Sequence, residues 1–409
     1  VVKAEITPSP PSSSADSVVL MDAATGKILY EKNKDSAYPP ASTTKIMTIL
    51  LVLEKTELDD IVTVSKNASL ADGSKIFIRE GEKISIKELL YGLTLASAND
   101  CAVALAEHVS GSVEEFAKLM NERAKSLGCI STNFVNPNGL YDVNHKTSAY
   151  DLSLIMQELT KHDIYKEIAM TSSYLMAPTN KFDQKRPLWN GNRLIQKGDP
   201  YYYEDCIGGK TGYTVQSKHS YIAVATRNGQ KLIVALVHDS QKTFFKDSRA
   251  LLDYGFDNFE LSKYFNKGDV VSNETLKDGT VLPLLASKDL YIVKAKNSTP
   301  SKVVKLSETK LDKLSIKKGD VVSKSTITFD KDSYSLDLTS GIDYAKKKSS
   351  ISNVFSNDNL KKSSPLMNLL KYALVALIVF IIFMRIRKLK KRRRRRKLER
   401  YMKNFNSRK

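Results

Sequence analysis

The sequence predicts three structural regions in order: a mixed α/β (α+β) domain, a small all-β domain, and one C-terminal transmembrane helix. Three observations carry that expectation. Up to about residue 260, helical periodicity is interleaved with short apolar strand-like runs. Beyond Phe259 the helical patterns stop, and β-rich runs alternate with charged turns. From Leu366 to Met384 the chain is apolar over 19 residues, interrupted only by Asn368 and Lys371, and a dense basic cluster follows. These changes of texture divide the chain into a disordered lead (1–15), the mixed domain (16–261), the all-β domain (262–342), a stalk (343–365), the span (366–384) and a polybasic tail (385–409).

The elements follow one another legibly. Thr7-Pro8-Ser9-Pro10-Pro11-Ser12-Ser13-Ser14 has no apolar pattern and reads as lead. Ser17–Asp22 and Lys27–Glu31 flank Ala23-Ala24-Thr25-Gly26 as a β-hairpin. Tyr38-Pro39-Pro40 resists helix, so a helix begins at Ser42, with Ile46, Met47, Ile49, Leu50 and Leu53 on its apolar face. The pattern is helical again from Ile86 to Leu127, with Leu89, Leu90, Leu93, Val103, Leu105, Phe116 and Leu119 towards the core. Asn136-Pro137-Asn138-Gly139-Leu140 is a turn cluster, and a further helix runs from Ser148 through Leu159. The stretch Ile207 to Val237 reads as two long antiparallel strands turned at Arg227-Asn228-Gly229. A helix from Ser248 to Tyr254, ended by Gly255, closes the domain.

In the β-rich region, Lys267-Gly268-Asp269-Val270-Val271 and Lys318-Gly319-Asp320-Val321-Val322 look like one hairpin element used twice. A small sandwich over 262–342 is expected, serving as a spacer or docking module because it holds no cluster of convergent catalytic groups. The Lys/Ser/Asn-rich stretch after it reads as a flexible stalk.

With 409 residues, 42% of them hydrophobic, the chain has room for two or three domains and a real core. Its net charge of +19 suggests a nucleic-acid binder until the distribution is examined. After Met384, fifteen Lys/Arg stand against Glu399 alone, so the tail holds +14 and the preceding 384 residues only +5. Nucleic acid is therefore not an expected partner; membrane lipid is. Arg385, Arg387, Lys388, Lys390 and the run Lys391 to Lys397 form a positive-inside stop, which puts the C-terminus in the cytoplasm and the body of the protein outside. A buried amphipathic or interfacial helix would need a polar stripe between residues 372 and 384, and none is present. The chain begins at Val1 rather than methionine, which fits removal of an export signal. Cys101, Cys129 and Cys206 read as three isolated buried thiols, with a disulfide between two of them as the alternative outside the cell; the five histidines have no metal spacing, so neither a metal nor a cofactor is expected.

Chemistry concentrates in three short motifs. Ser42-Thr43-Thr44-Lys45 sets a hydroxyl and an amine one helical turn apart, on one face. A serine hydroxyl needs an adjacent base to attack a carbonyl, and lysine serves if burial or a cationic neighbour lowers its pKa. Ser97-Ala98-Asn99 lies between the helical runs ending at Ala96 and starting at Ala102. Lys210-Thr211-Gly212 follows Gly208-Gly209 and precedes the buried strand Ser220 to Ala225.

In that order the three motifs match the signature of serine β-lactamases and penicillin-binding proteins. With the Asn136–Leu140 turn, Leu251-Leu252-Asp253-Tyr254-Gly255-Phe256, the added β domain and the C-terminal span, residues 15 to 350 resemble the serine D-alanyl-D-alanine carboxypeptidases, the low-molecular-mass penicillin-binding proteins of cell-wall metabolism. The resemblance implies a serine β-lactamase/penicillin-binding transpeptidase-like fold for the first domain. It implies a peptidoglycan stem peptide ending in D-Ala-D-Ala as substrate, and β-lactam antibiotics as inhibitors. Ser42 would be the nucleophile, Lys45 its base, and Ser97 the proton relay to the leaving D-alanine. Asn99 would hold the substrate amide and Lys45, while Lys210 supplies positive charge. Thr211, within Lys210-Thr211-Gly212, would bind the terminal carboxylate, and the backbone N–H groups of Ser42 and Tyr213 would form the oxyanion hole.

The chain departs from the family pattern at Tyr213, at Ala98 and at Phe244-Phe245, where relatives tend to carry an arginine before phenylalanine. Lys242 is the nearby cation expected to take over that arginine's hold on the carboxylate. Three other readings compete. A β-lactamase normally lacks the β domain and the span, a non-catalytic wall-binding protein would have damaged motifs, and a lipid-recruiting scaffold would leave the motifs unexplained.

Overall fold

A computed structural model describes residues 8–309, 315–345 and 365–406. Its centre is a five-stranded antiparallel sheet in the order Ile28–Lys32, Ser17–Asp22, Gln230–Asp239, Lys218–Arg227, Cys206–Thr214. The three middle strands are almost entirely buried because both faces are covered, which is why they read as continuous apolar runs. Alternate residues serve opposite layers. Val19, Met21, Ile222, Val224, Ile233 and Ala235 face a helical core, and Val18, Leu20, Ala223, Ala225, Leu232 and Val234 face the helix Phe244–Asn258. At the centre of the helical layer lies Lys45–Lys55, with Ile46, Met47, Leu50 and Leu51 fully buried.

Several local expectations need correction. Residues 206–239 form three strands rather than two, because Val215-Gln216-Ser217 turns the chain with Lys218 at φ +54 and no glycine to announce it. The 86–127 region is three helices, Ile86–Leu95, Asn99–Ser110 and Val113–Ser126, broken at Ser97 (φ +56) and at Gly111. Gly255 does not stop its helix, which runs from Phe244 to Asn258. A Cβ there would meet Leu232 Cδ1 at 2.6 Å and Leu20 Cδ2 at 3.0 Å, so the glycine lets helix and sheet approach. The lead is tied down at its end: the Ser13 hydroxyl and Ser14 N–H donate to Asp247, and the Ser14 hydroxyl donates to Asp239 at 2.6 Å. Those two buried carboxylates need donors that the sheet alone does not supply. The first seven residues of that lead, and most of the stalk expected over 343–365, lie outside the described residues.

The all-β domain has a second five-stranded antiparallel sheet, in the order Val270–Thr275, Val281–Ala286, Asp332–Ser340, Val321–Phe329, Lys302–Thr309. The pair Phe259–Phe265 and Leu290–Ala295 accompanies it, with Tyr264 edge-on to Phe329 at 4.4 Å. The repeated Lys-Gly-Asp element is real in three dimensions. Gly268 N–H donates to Ala286 O while Asp269 O accepts from Ala286 N–H, and Gly319, Asp320 and Ser340 repeat that exchange. Both glycines need φ near +90.

Pro365–Asn406 forms a single C-terminal helix of 42 residues. Its stretch Leu369–Lys388 is long and apolar enough to cross a membrane, with a mean hydropathy of 2.4.

Candidate active site

The edge strand Cys206–Thr214 meets the helical layer at the start of Lys45–Lys55, and the three motifs converge there. Ser42 lies not in the α-helix but in the 3-10 turn Ala41–Thr44 that leads into it. That turn is gripped from two sides. A Cβ on Gly139 (φ +86) would sit 1.9 Å from Ala41 O, and one on Gly212 would sit 2.9 Å from both Pro40 O and Ser42 N. Only glycine fits at either position, so the two backbones fix where the Ser42 hydroxyl stands.

Lys45 is fully buried, and its amine touches three oxygens: Ser42 Oγ at 2.8 Å, Asn99 Oδ1 at 2.7 Å and Asn138 O at 2.6 Å. Asn99 is oriented by its own donors, Nδ2–H to Asp72 O and backbone N–H to Ser74 O, both at 2.6 Å. Its Oδ1 therefore faces the lysine. Burial pushes the Lys45 amine well below the ordinary lysine range, and the charge of Lys210 pushes it the same way.

Lys210 projects from the edge strand and donates to Ser97 Oγ and to Thr211 O, each at 2.9 Å. Burial lowers it to about 7. Ser97 sits in the joint between Ile86–Leu95 and Asn99–Ser110 in a left-handed conformation that places its hydroxyl against that amine. Beneath the joint, Asp100 is buried and accepts N–H groups from Ile78 and Cys101 at 3.1 and 2.9 Å. Behind the Ser42 turn, His145 accepts Val135 N–H on Nδ1, so Nε2 carries the proton and donates to Thr44 Oγ1 at 2.7 Å. Its burial lowers its pKa to about 4 and keeps it neutral.

Above these groups opens a cleft of about 610 Å³, lined by Ser42, Ser97, Thr211, Gly212 and Tyr213 and walled by Arg193, Lys242 and Phe244. Tyr213 is exposed and stacked on His219 at 4.5 Å. Every residue singled out in the sequence thus reaches one place: Ser42, Lys45, Ser97, Asn99 and Lys210 through hydrogen bonds, and Thr211, Gly212 and Tyr213 as cleft wall. Phe244 is buried among Phe245, Tyr221 and His219, with ring centroids 4.4 to 5.5 Å away. Sequence reasoning missed Asn138 as a partner of Lys45, Gly139 as the cradle of the Ser42 turn, and Arg193. The Asn136–Gly139 turn was visible, but nothing in its composition says which distant residue it supports.

Comparison with known proteins identifies the family and the fold. The sequence profile of D-alanyl-D-alanine carboxypeptidase matches residues 4–241, and that of the penicillin-binding protein 5 C-terminal domain matches residues 259–341. Over 301 residues the chain is 37% identical to the D-alanyl-D-alanine carboxypeptidase DacF of Bacillus subtilis (strain 168), spanning 71% of this chain and 75% of that protein. Penicillin binding protein 5 from Haemophilus influenzae superposes with a TM-score of 0.70 at 30% identity, over 83% of this chain and all of that one (100%). The Streptomyces K15 DD-transpeptidase superposes with a TM-score of 0.57 at 29% identity, over 61% of this chain and 100% of that one. The architecture is that of the penicillin-binding/β-lactamase fold with an appended all-β domain. On the strength of profile, relatives and superposition together, this chain belongs to the D-alanyl-D-alanine carboxypeptidase family of penicillin-binding proteins.

Proposed function

We propose that the chain is a membrane-anchored serine carboxypeptidase that removes the terminal D-alanine from peptidoglycan stem peptides through an acyl-enzyme on Ser42. One observation carries the reading. Two of the three partners of Lys45 Nζ, Asn99 Oδ1 and Asn138 O, are pure acceptors. A neutral amine has two hydrogens, and those acceptors take both. Its lone pair is then left for the Ser42 hydroxyl, the third partner.

The chemistry follows from that arrangement. Ser42 gives its proton to Lys45 as Oγ attacks the carbonyl between the two D-alanines. The oxyanion is received by the backbone N–H groups of Ser42 and Tyr213, each worth about 3–4 kcal/mol. Collapse breaks the C–N bond, and the departing D-alanine amine takes a proton relayed through Ser97, which Lys210 holds in place. Asn99 orients Lys45 and the substrate amide, and Thr211, beside Lys210, receives the terminal carboxylate. Water then attacks the ester and regenerates Ser42. A β-lactam acylates the same oxygen, but its leaving group stays tethered. The Leu369–Lys388 segment anchors the protein, with the basic segment after it on the cytoplasmic side.

The test is D-alanine release from diacetyl-L-Lys-D-Ala-D-Ala by the full chain and by Ser42→Ala. Release that vanishes in the variant, together with penicillin labelling that vanishes with it, supports the reading. A wild-type protein that neither releases D-alanine nor is acylated by penicillin refutes it. Retention in the membrane fraction after a salt wash, lost on truncation before residue 365, tests the anchor separately.

A further inference from the structure

The far wall of the cleft carries two cations that the proposed chemistry leaves unused, Arg193 and Lys242. They differ in how they are held. Arg193 is fixed from behind: its Nε–H donates to Asp199 Oδ2 at 2.7 Å, and Asp199 Oδ1 in turn accepts the Tyr201 N–H at 2.8 Å. The guanidinium carbon lies 4.5 Å from the Tyr201 ring centroid and 6.0 Å from that of Phe245. Just before it, Asn192 is buried and accepts the Tyr221 hydroxyl at 2.6 Å, which ties this segment to the central sheet. With Nε engaged and the plane stacked, the two terminal nitrogens make a fork at the rim of the cleft, and the side chain is 46% exposed. The segment borders the edge strand, since a Cβ on Gly191 would lie 3.9 Å from Thr211 Oγ1.

Among the described residues, none braces Lys242 in this way. It acts on its surroundings as a point charge, and its field helps to lower the pKa of His219 after burial has done most of the work. Phe244, where an arginine was expected, is an apolar ring packed in an aromatic cluster and offers no donor.

We propose that Arg193 recognises the free terminal carboxylate of the substrate, as a planar fork set in advance by Asp199 and Tyr201, with Lys242 contributing unspecific positive charge. This assignment rests on the D-Ala-D-Ala reading above. A guanidinium matches a carboxylate with two parallel N–H bonds, and one already immobilised loses little freedom on binding. The consequence is specificity. Arg193 would favour peptides that end at the second D-alanine over those in which that carboxyl is an amide or continues into further chain.

The experiment compares wild type, Arg193→Ala and Arg193→Lys, all as full chains, on diacetyl-L-Lys-D-Ala-D-Ala and on the same peptide ending in D-alaninamide. Thermal unfolding is followed in parallel. Arg193→Ala should raise KM for the free acid about 10- to 100-fold, the size of a lost charge-assisted hydrogen bond, with kcat much less affected. Its loss on the acid should exceed its loss on the amide, and Arg193→Lys should recover part of the difference by restoring charge without the fork. A KM within about twofold of wild type, or equal losses on acid and amide, overturns the assignment. A wild-type enzyme that cleaves neither peptide and takes no penicillin removes the underlying reading, and this assignment falls with it.

Discussion

The two five-stranded antiparallel sheets of this protein have the same strand count and bury different things. The sheet over residues 17–239 and its helical layer bury Lys45, Glu82, Asp100, His145, Arg186 and Lys210. In the sheet over residues 270–340 the buried polar side chains among the described residues are Ser323, Ser325 and Ser340, and Ser325 donates to Leu336 O at 2.8 Å. A buried serine bonded to backbone costs little, whereas a buried ammonium is expensive unless it gives up its proton. The first domain therefore carries a stability cost where its edge strand meets the helices, and in the proposed mechanism that cost is what turns a lysine into a base. The second domain carries none, which fits a module that packs and positions without reacting.

The largest effect should come from removing the costly group itself. Lys45→Met fills similar volume without the amine, and D-alanine release should fall by about 10³- to 10⁴-fold, the upper range for a lost general base. The pH profile sharpens the point. Activity should rise with pH as Lys45 loses its proton at a value well below that of an ordinary lysine, and fall again as Lys210, lowered to about 7, loses its own. A bound carboxylate moves the second limb upward, so kcat should hold to higher pH than kcat/KM. An acidic limb that persists unchanged in the residual activity of Lys45→Met would mean that Lys45 is not the titrating base.

Two glycines with the same backbone sign separate the domains next. Gly139→Ala forces a Cβ to within 1.9 Å of Ala41 O, and Ala41 is already left-handed at φ +51, so the Ser42 turn has no room to yield. Release should fall by at least about 10²-fold, with stability lower by about 2–4 kcal/mol. Gly319→Ala, at φ +91, meets nothing within 4 Å. It should cost only about 1 kcal/mol of left-handed strain and leave activity unchanged. Urea unfolding and D-alanine release on both variants check the contrast.

His145 gives a smaller, purely thermodynamic test. Its folded-state value of about 4 lies below the ordinary histidine value, so between those limits the unfolded chain binds the proton and the folded one does not. Stability should fall as pH drops from about 6.5 to about 4, by about 3 kcal/mol from this group. The difference between wild type and His145→Gln isolates it from the carboxylates that titrate in the same window. A difference that does not change with pH would mean the imidazole is not held neutral.

How much of this was legible in the sequence depends on the range of the contacts. The first hairpin, the helix Lys45–Lys55 and the Asn228-Gly229 turn rest on neighbours in the chain, and local pattern found them to within a few residues; Asn228 and Gly229 take φ +50 and +80, as a tight hairpin turn requires. The turn at Val215-Gln216-Ser217 was invisible because it uses no glycine or proline, and Lys218 takes the positive φ instead. Gly255 misled for the opposite reason: the glycine serves contact with Leu232 and Leu20, which only the folded chain reveals. The same holds in the site. The three motifs name the side chains to which the proposed chemistry is assigned, but Asn138, whose carbonyl takes a hydrogen of Lys45, contributes backbone alone, and backbone leaves no mark on composition.

The smallest expected effect lies where the domains touch. The tip of the first hairpin carries Lys27, whose amine reaches Asp332 Oδ2 at 2.6 Å and Val293 O at 3.0 Å in the all-β domain. Both side chains are partly open to water, at 23% and 38% exposure. Solvent screening and the entropy of holding two long side chains limit such a pair to about 0.2–1 kcal/mol. A double-mutant cycle of Lys27→Met and Asp332→Asn, read by urea unfolding, should return a coupling in that range, and D-alanine release should not change in any of the three variants. A coupling above about 2 kcal/mol would exceed what a screened pair supplies. Accompanied by a fall in release, it would mean that the all-β domain holds the first sheet in its working shape, so the division between a domain that reacts and one that only packs would have to be given up.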